Sequence, residues 1–307
     1  MTDTTPDSFI LARPVPAAAG RRVLGFTLVE AILVIVVTAA IAAVVAVFIR
    51  APVEGYADAA ARAELTDAAD LALRRIARDI RLALPNSVRI VQPNANEQYL
   101  ELLPTKIGGR YLSVDDGVVA GDALSFTNVG DLTFDVVGAM PADTQAIVPG
   151  DFIVVYNLDA QDPGSPVNAY AGGNRAQVAG VAGNTVTLLS NPFAAQVPSI
   201  ESPGRRFQVI TTPVTYRCLA APNGGGVLTR YWGYPIQAAQ PQSAATAPLQ
   251  NAASAPLVQG VSACNFVANA LPNLQSALVS LSLVLESPDG RSGRVRLTHQ
   301  VHVDNTP

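Results

Sequence analysis

Glu30 has the most unusual setting of the acidic residues in this sequence, because it lies inside a long apolar run. From Phe26 to Ile49 the clearly polar residues are Thr27, Glu30 and Thr38. A carboxylate at membrane depth costs a few kcal/mol on insertion scales. No cation in the run is near enough to pair with it. We therefore expect a positive group from outside the run to pair with the Glu30 carboxylate.

Cleavage of the chain between Gly25 and Phe26 would supply such a group, because it creates an α-amino group on Phe26. Glu30 would then be the fifth residue of the shortened chain, about one helical turn from the new terminus. When related helices pack side by side with a small stagger, the amine of one chain can meet the carboxylate of the next. Such a pairing neutralises both charges in lipid and sets the register of an assembly.

The apolar run itself predicts a helix that crosses a membrane. At 1.5 Å per residue it is about 36 Å long, against about 30 Å for a bilayer core. It is too long for the apolar region of a secretory signal peptide, and a plain single-pass anchor leaves Glu30 unexplained. The basic residues Arg13, Arg21 and Arg22 precede the run. The positive-inside rule therefore predicts a cytoplasmic N-terminus and an exported body.

The stretch "GFTLVE" after a basic leader resembles the type III signal of type IV prepilins and of type II secretion pseudopilins. In that family a membrane peptidase cuts after the glycine and N-methylates the new phenylalanine, and the glutamate directs assembly. The resemblance implies these roles for Gly25, Phe26 and Glu30, and Thr27 and Leu28 also match the motif. It implies three classes of partner: prepilin peptidase, other pilin or pseudopilin subunits, and an inner-membrane assembly platform.

The fold expected from the sequence is α+β and type IV pilin-like, with a long N-terminal helix packed on an antiparallel β-rich domain. We divide the chain into a leader (1–25), a transmembrane and assembly helix (26–50), an amphipathic helix (51–84) and a β-rich exported domain (85–307). Pro52 and Gly55 predict a bend or local melting between the helical halves, and Pro85 predicts the helix end. One apolar stripe comprises Leu65, Ala69, Ala72, Ile76, Ile80 and Ala83.

Charged residues of the amphipathic helix are expected on its solvated side. Asp70–Arg74 and Arg75–Asp79 are spaced as i,i+4 ion pairs. The basic cluster of Arg74, Arg75, Arg78 and Arg81 is either a solvated face or a surface that binds a partner. A solvated face is the commoner outcome for such a cluster.

Short runs with β-strand character follow Pro85, and the sequence punctuates them with Gly, Pro and Asn. They are "SVRIVQ", "YLELLP", "ALSFTNV", "LTFDVV", "DFIVVYNL", "TVTLL", "FQVITT" and "VTYRCLA". Residues 279–303 alternate in a way that predicts a hairpin. The stretch from Tyr234 to Pro256 lacks periodicity and predicts a surface loop.

The resemblance extends beyond the helix. The segments "ADLALRRIARDIRLALPNSVRI", "YRC…RYWGY" and "HVDNTP" are similar to the O-type minor pilin-like family of mannose-sensitive haemagglutinin (MSHA) pilus biogenesis. The "RRIARDIR" segment is also similar to J-type minor pseudopilins of type II secretion.

Cysteine, histidine and aspartate supply the remaining candidate chemistry. Cys218 and Cys264 are expected to form a disulfide in an oxidising compartment. His299 and His302 lie three apart on a strand and so face opposite sides, which makes a poor metal pair, and we expect His299 to be a core residue. Two acidic loops, Asp115–Asp116–Gly117 and Asp159 with Asp162, are expected to be turns rather than Ca²⁺ sites because neither has EF-hand spacing.

Composition and motifs argue against nucleic-acid binding and against catalysis. The net charge of −4 provides no basic field for nucleic acid, and no catalytic motif or cofactor signature is recognisable. We expect no enzyme, no cofactor and no metal site. The resemblance implies a minor pilin-like subunit of an MSHA-type pilus, held in the bacterial inner membrane before it joins the filament. The alternatives are a type II secretion minor pseudopilin and a membrane-anchored periplasmic enzyme.

Overall fold

A computed structural model describes residues 25–117, 120–269, 276–287 and 293–304. The chain consists of two compact units, one that ends at Gly55 and one that begins at Tyr56. The leader, apart from Gly25, and the closing "NTP" lie outside the described residues.

Helix α1 spans Leu28–Arg81 and continues through Pro52. The local melting expected at Pro52 and Gly55 is absent from this helix. It ends before the boundary expected at residue 84, because the following residues join the sheets. The backbone N–H of Leu84 donates to the carbonyl oxygen of Leu103 at 2.7 Å, and Ala83 forms a bridge with Pro104.

The described chain after α1 contains thirteen strands. They are β1 (Arg89–Asn94), β2 (Glu97–Leu102), β3 (Thr105–Arg110), β4 (Thr133–Asp135), β5 (Phe152–Val155), β6 (Arg175–Ala182), β7 (Thr185–Leu188), β8 (Arg206–Ile210), β9 (Val214–Leu219), β10 (Gly226–Trp232), β11 (Ala253–Asn269), β12 (Ser276–Glu286) and β13 (Arg294–Asp304).

The strands form two antiparallel sheets. A seven-stranded sheet has the order β1-β2-β9-β10-β11-β12-β13, and a six-stranded sheet has the order β3-β8-β5-β6-β7-β4. The predicted α+β class, with a long apolar N-terminal helix and an antiparallel β-rich domain, is therefore confirmed.

Most of the predicted strands are present, and the predicted hairpin is β12 with β13, where Leu283 lies opposite Leu297. The segment "ALSFTNV" is instead a turn, because the Ser125 hydroxyl oxygen accepts hydrogen bonds from the N–H groups of Thr127 and Asn128. The strands β3, β6, β10 and β11 were not predicted. The Gly and Ala content of β3, β6 and β11 weakens their β signal. The loop expected from Tyr234 ends where β11 begins, at Ala253.

The second half of α1 packs on one face of the seven-stranded sheet. Its predicted apolar stripe is confirmed: Ala69, Ile76 and Ile80 are fully buried against strand residues such as Tyr216 and Leu281. Burial of each isoleucine contributes about 1.5–3 kcal/mol. Part of the opposite face, on β2 and β10, is covered by the segment 233–252, whose Tyr234 and Leu249 pack on Tyr99 and Tyr231.

The predicted disulfide between Cys218 and Cys264 is present, with the two Cα atoms 6.5 Å apart. It joins β9 to β11, although β10 lies between these strands in the sheet order. The bridge is reachable because β10 begins at Gly226 and β11 extends beyond it. A Cβ on Gly226 would lie 2.2 Å from the carbonyl oxygen of Leu219 and 2.3 Å from that of Val261, so glycine alone permits this crowding of backbones.

Candidate functional site

The segment from Gly25 to Glu30 forms the beginning of α1. Thr27 caps the helix: its hydroxyl oxygen accepts a hydrogen bond from the backbone N–H of Glu30 at 3.2 Å, and its carbonyl oxygen accepts one from the N–H of Ala31 at 3.1 Å. Phe26 precedes the cap, and its side chain is 76% exposed.

Glu30 is the third residue of the helix, and "TLVE" therefore has the spacing of a capping box. One half of that box, the bond to the Thr27 hydroxyl, is formed. A carboxylate in the first turn also interacts favourably with the positive end of the helix dipole. The T-x-x-E spacing in the sequence is the signal for this local contribution, which the prediction for Glu30 did not include. No described side chain forms an ion pair or hydrogen bond with the Glu30 carboxylate.

Gly25 is not required by the local backbone. Its φ is not among the positive values of the described glycines, and a Cβ added there would meet no atom within 4 Å. A requirement for glycine at this position would therefore come from outside the folded chain.

The first half of α1 exposes its apolar side chains on all sides. They include Leu28, Ile32, Ile35, Ile41, Val47 and Ile49. The polar Thr38 hydroxyl is satisfied within the helix, because it donates to the carbonyl oxygen of Val34 at 2.7 Å. By length and composition this helix is able to cross a membrane. The described part of the chain offers no cover for this surface, and exposed apolar patches of this size are typical of membrane or protein interaction sites.

The two acidic loops are hydrogen-bonded turns. Asp116 accepts a hydrogen bond from the backbone N–H of Ser113 at 2.9 Å and pairs with Arg110 and Arg205. The Ser113 hydrogen bond and these cations hold the pKa of Asp116 below its usual value. Asp159 and Asp162 each accept backbone N–H groups two residues ahead, from Gln161 and Gly164, at 2.8 Å. Within the described ranges, no group of three potential metal ligands occurs.

The prediction that His299 is a core residue is wrong. Its side chain is only partly buried and lines a groove with Arg74, Arg78 and Arg81 of α1, because the helix does not cover this part of β13. His302 lies on the opposite, exposed face of β13, as the strand periodicity predicted.

A buried ion pair between Arg89 and Glu101 was missed by the sequence argument. The side chains are 3% and 0% exposed, lie opposite each other on β1 and β2, and are joined by an Nε–Oε2 contact of 2.7 Å. Arg89 also donates to the carbonyl oxygens of Ala238 and Gln237, at 2.7 and 2.9 Å. Its guanidinium lies 3.5 Å from the ring centroid of Tyr170. The available signal was a charge in each of two otherwise apolar strands.

The hydroxyl of Tyr234 completes this buried network. It donates to Glu101 at 2.9 Å and accepts from the Thr215 hydroxyl at 2.6 Å. Burial raises the pKa of Glu101, and the hydrogen bonds and charge of Arg89 oppose that rise only in part. The network attaches the segment 233–252 to the sheet. The network is buried, and its polar groups form hydrogen bonds with one another.

Asp79 was expected on the solvated side of the amphipathic helix, but it is buried. The Tyr216 hydroxyl donates to its carboxylate at 2.6 Å, and Arg230 lies at 2.9 Å. The predicted partner Arg75 is more distant, at 3.6 Å. Asp79 thus fixes α1 to β9 and β10, whereas the predicted Asp70–Arg74 pair is present at 2.7 Å on the exposed side.

Comparison with known proteins returned no relative that would identify these features. No family model, no curated protein and no solved structure matches the chain.

Proposed function

We propose that this chain is a prepilin-like subunit, cut after Gly25 and methylated on Phe26 by a prepilin peptidase, that joins an MSHA-type pilus as a minor component. It acts there in assembly, in tip initiation or in surface adhesion. The observation that carries the proposal is the combination of "GFTLVE" with a helix start at Leu28. The motif is exposed, and it begins a helix whose apolar surface the described residues leave uncovered. Among the described residues, no side chain pairs with the Glu30 carboxylate.

The assembly step follows from the positions of the two charges. Cleavage after Gly25 leaves the amine on Phe26, two residues before the first helical residue. The carboxylate of Glu30 lies one turn inside the helix. A neighbouring subunit displaced by a small axial step can therefore pair its amine with this carboxylate. The pairing removes two unsatisfied charges from an apolar environment, which favours one register over others.

The disulfide supports an exported body, since such bonds persist in oxidising compartments. Together with the basic residues before the helix, it favours insertion in the bacterial inner membrane as a single span. The N-terminus is then cytoplasmic and the β-rich domain periplasmic until the subunit enters the filament.

Processing is tested by the intact mass of the protein purified from membranes that contain a prepilin peptidase. We expect a chain that begins at Phe26 and carries one added methyl group. Gly25→Val should leave the precursor uncut, because the bulkier side chain crowds the scissile bond. The matched control is Gly55→Val, since Gly55 is also exposed with open space around it. A mature chain that starts at another residue would refute the proposal.

A minor pseudopilin of type II secretion is the alternative, favoured by the "RRIARDIR" segment, where Arg74, Arg78 and Arg81 are exposed. Both functions share the processing step, so the mass measurement does not separate them. Deletion of the gene separates them: loss of surface pili indicates the pilus subunit, and loss of protein export with intact pili indicates the pseudopilin.

A further inference from the structure

Strand β13 forms an open edge of the seven-stranded sheet. Among the described strands it pairs only with β12, in one unbroken register from Arg294 opposite Glu286 to Asp304 opposite Ser276. The other edge strand, β1, is shorter and its register shifts between Val91 and Asn94. A long, regular edge presents a row of unpaired backbone N–H and C=O groups, which can pair with a further strand.

A groove runs between this edge and α1. Its volume is about 540 Å³, and its walls are formed by one residue of β13, His299, and by residues of α1 and the position after it: Asp70, Arg74, Ala77, Arg78, Arg81 and Leu82. The α1-facing residues of β13 are only half-buried at Val295, Leu297 and His299, whereas Val301 and Val303 are buried. The helix therefore leaves room for side chains beside β13 at His299.

Arginine side chains lie on both sides of this edge, although the whole chain has a net charge of −4. On the groove side, Arg78 and Arg81 are exposed and have no carboxylate within ion-pair distance among the described residues, while Arg74 pairs with Asp70. On the outer side, β13 exposes Arg296 and His302, and Arg294 pairs with Glu286 at 2.9 Å. The described residues of β13 before Asp304 include no acidic side chain.

We propose that the β13 edge, with the basic groove beside it, binds an extended segment of another polypeptide with alternating acidic side chains. The segment adds to the sheet as a strand next to β13 through backbone hydrogen bonds. Because strand side chains alternate between faces, every second residue points into the groove. A carboxylate at those positions pairs with Arg78 and Arg81 in charge-assisted hydrogen bonds. This proposal is independent of the pilus assignment.

A synthetic peptide tests the proposal on the full-length protein in detergent micelles. The probe is a labelled peptide of about nine residues that alternates Thr and Glu, and binding is followed by fluorescence anisotropy. We expect saturable binding that weakens as salt is raised. The same peptide with Lys in place of Glu should not bind. Absence of saturable binding by the acidic peptide, or equal binding by the basic one, would overturn the proposal.

Charge reversal locates the binding site. Arg78→Glu should weaken binding about fivefold or more, because it replaces an attraction at the groove with a repulsion. The matched control is Arg206→Glu, an exposed arginine on β8 of the six-stranded sheet, which should change the affinity less than about twofold. Equal effects of the two substitutions would contradict a site at the β13 edge.

Backbone methylation separates strand addition from simple charge attraction. One peptide is N-methylated at every Thr and another at every Glu, so that each loses the N–H groups of one strand edge while the carboxylates remain. At least one of the two should bind about tenfold more weakly, since the ladder hydrogen bonds to β13 are lost. If both bind as tightly as the parent peptide, the segment does not add as a strand and the proposal fails.

Discussion

Arg89 and Glu101 form an ion pair that is almost completely buried. Each also forms a hydrogen bond with a residue that is distant in sequence: Arg89 with Ala238, and Glu101 with Tyr234. A buried ion pair of this kind contributes little net free energy relative to apolar residues, but removal of one partner leaves a charge without compensation. The pair thus selects one arrangement of β1, β2 and the segment 233–252.

Arg89→Met should lower the free energy of unfolding by about 3–5 kcal/mol, because it strands the Glu101 carboxylate in the interior. Chemical denaturation followed by the fluorescence of Trp232, the single tryptophan, measures this loss. The control is Arg74→Met, which removes only an exposed i,i+4 pair and should cost less than about 0.5 kcal/mol. Similar losses for the two variants would show that the buried pair has no special role.

The same variant should depend on pH in a definite direction. Burial already raises the pKa of Glu101, and loss of the Arg89 charge raises it further. The folded state then keeps a proton that the unfolded chain releases above about pH 4.3. By linkage, stability falls as pH rises from there to the folded-state pKa. The deficit of Arg89→Met relative to the native chain should therefore be larger at pH 8 than at pH 5 in the same denaturation experiment.

At the scale of elements, two sets of contacts connect α1 and the strands: the hydrogen bonds of Asp79 and the disulfide. Asp79 connects the helix to β9 and β10 through Tyr216 and Arg230. The disulfide connects β9 to β11 beyond the beginning of β10, where Gly226 permits the close approach of three backbones. The helix and the three strands are therefore fixed by specific contacts as well as by apolar burial.

Replacement of both Cys218 and Cys264 by Ala should lower the free energy of unfolding by at most about 4 kcal/mol, the chain-entropy value for a loop of this length. The residues are 46 apart in the sequence. Peptide mapping without reductant should yield one cross-linked peptide from the native protein. A reductant should lower the melting temperature of the native chain and leave that of the double variant unchanged. Free thiols at both positions in exported protein would contradict the pairing.

For the whole molecule, the most distinctive feature is the exposed apolar surface of residues 26–49. The described residues leave it uncovered, and a helix of this length and composition is able to cross a membrane. A plain anchor could have any apolar sequence at these positions. The capped helix start with Glu30 in its first turn is a feature that a plain anchor does not require.

Glu30→Gln should leave cleavage after Gly25 nearly normal, because the scissile bond is untouched. It should reduce incorporation into filaments several-fold, because the amine of the neighbouring subunit then stays unpaired in lipid. The measurement is the amount of processed variant that co-purifies with sheared pili. Glu54→Gln is the matched control, since Glu54 is an exposed glutamate in the same helix. A plain anchor predicts unchanged behaviour for both variants, and normal incorporation of processed Glu30→Gln would defeat the pairing account.

The sequence by itself determined the features that depend on neighbours along the chain. The apolar run, the inward stripe of α1 and the alternation of the hairpin β12–β13 are all periodic patterns, and local backbone geometry converts each into one face of a helix or strand. The disulfide was also predictable, because the sequence has only two cysteines and both follow an apolar run whose basic flank predicts an exported body. These features define the fold class and the candidate processing site.

Only the tertiary structure decided which distant residues meet. Asp79 and Tyr216 are 137 residues apart, and Arg89 and Ala238 are 149 apart, so their contacts depend on the strand order of the sheet rather than on any local period. The same holds for the β13 edge and its groove, where the arginines of α1 face a strand near the C-terminus. The local pattern assigns these charged residues to solvent. Strand order, which is set by the packing of the whole domain, instead places Asp79 in the interior and the α1 arginines beside the edge strand β13.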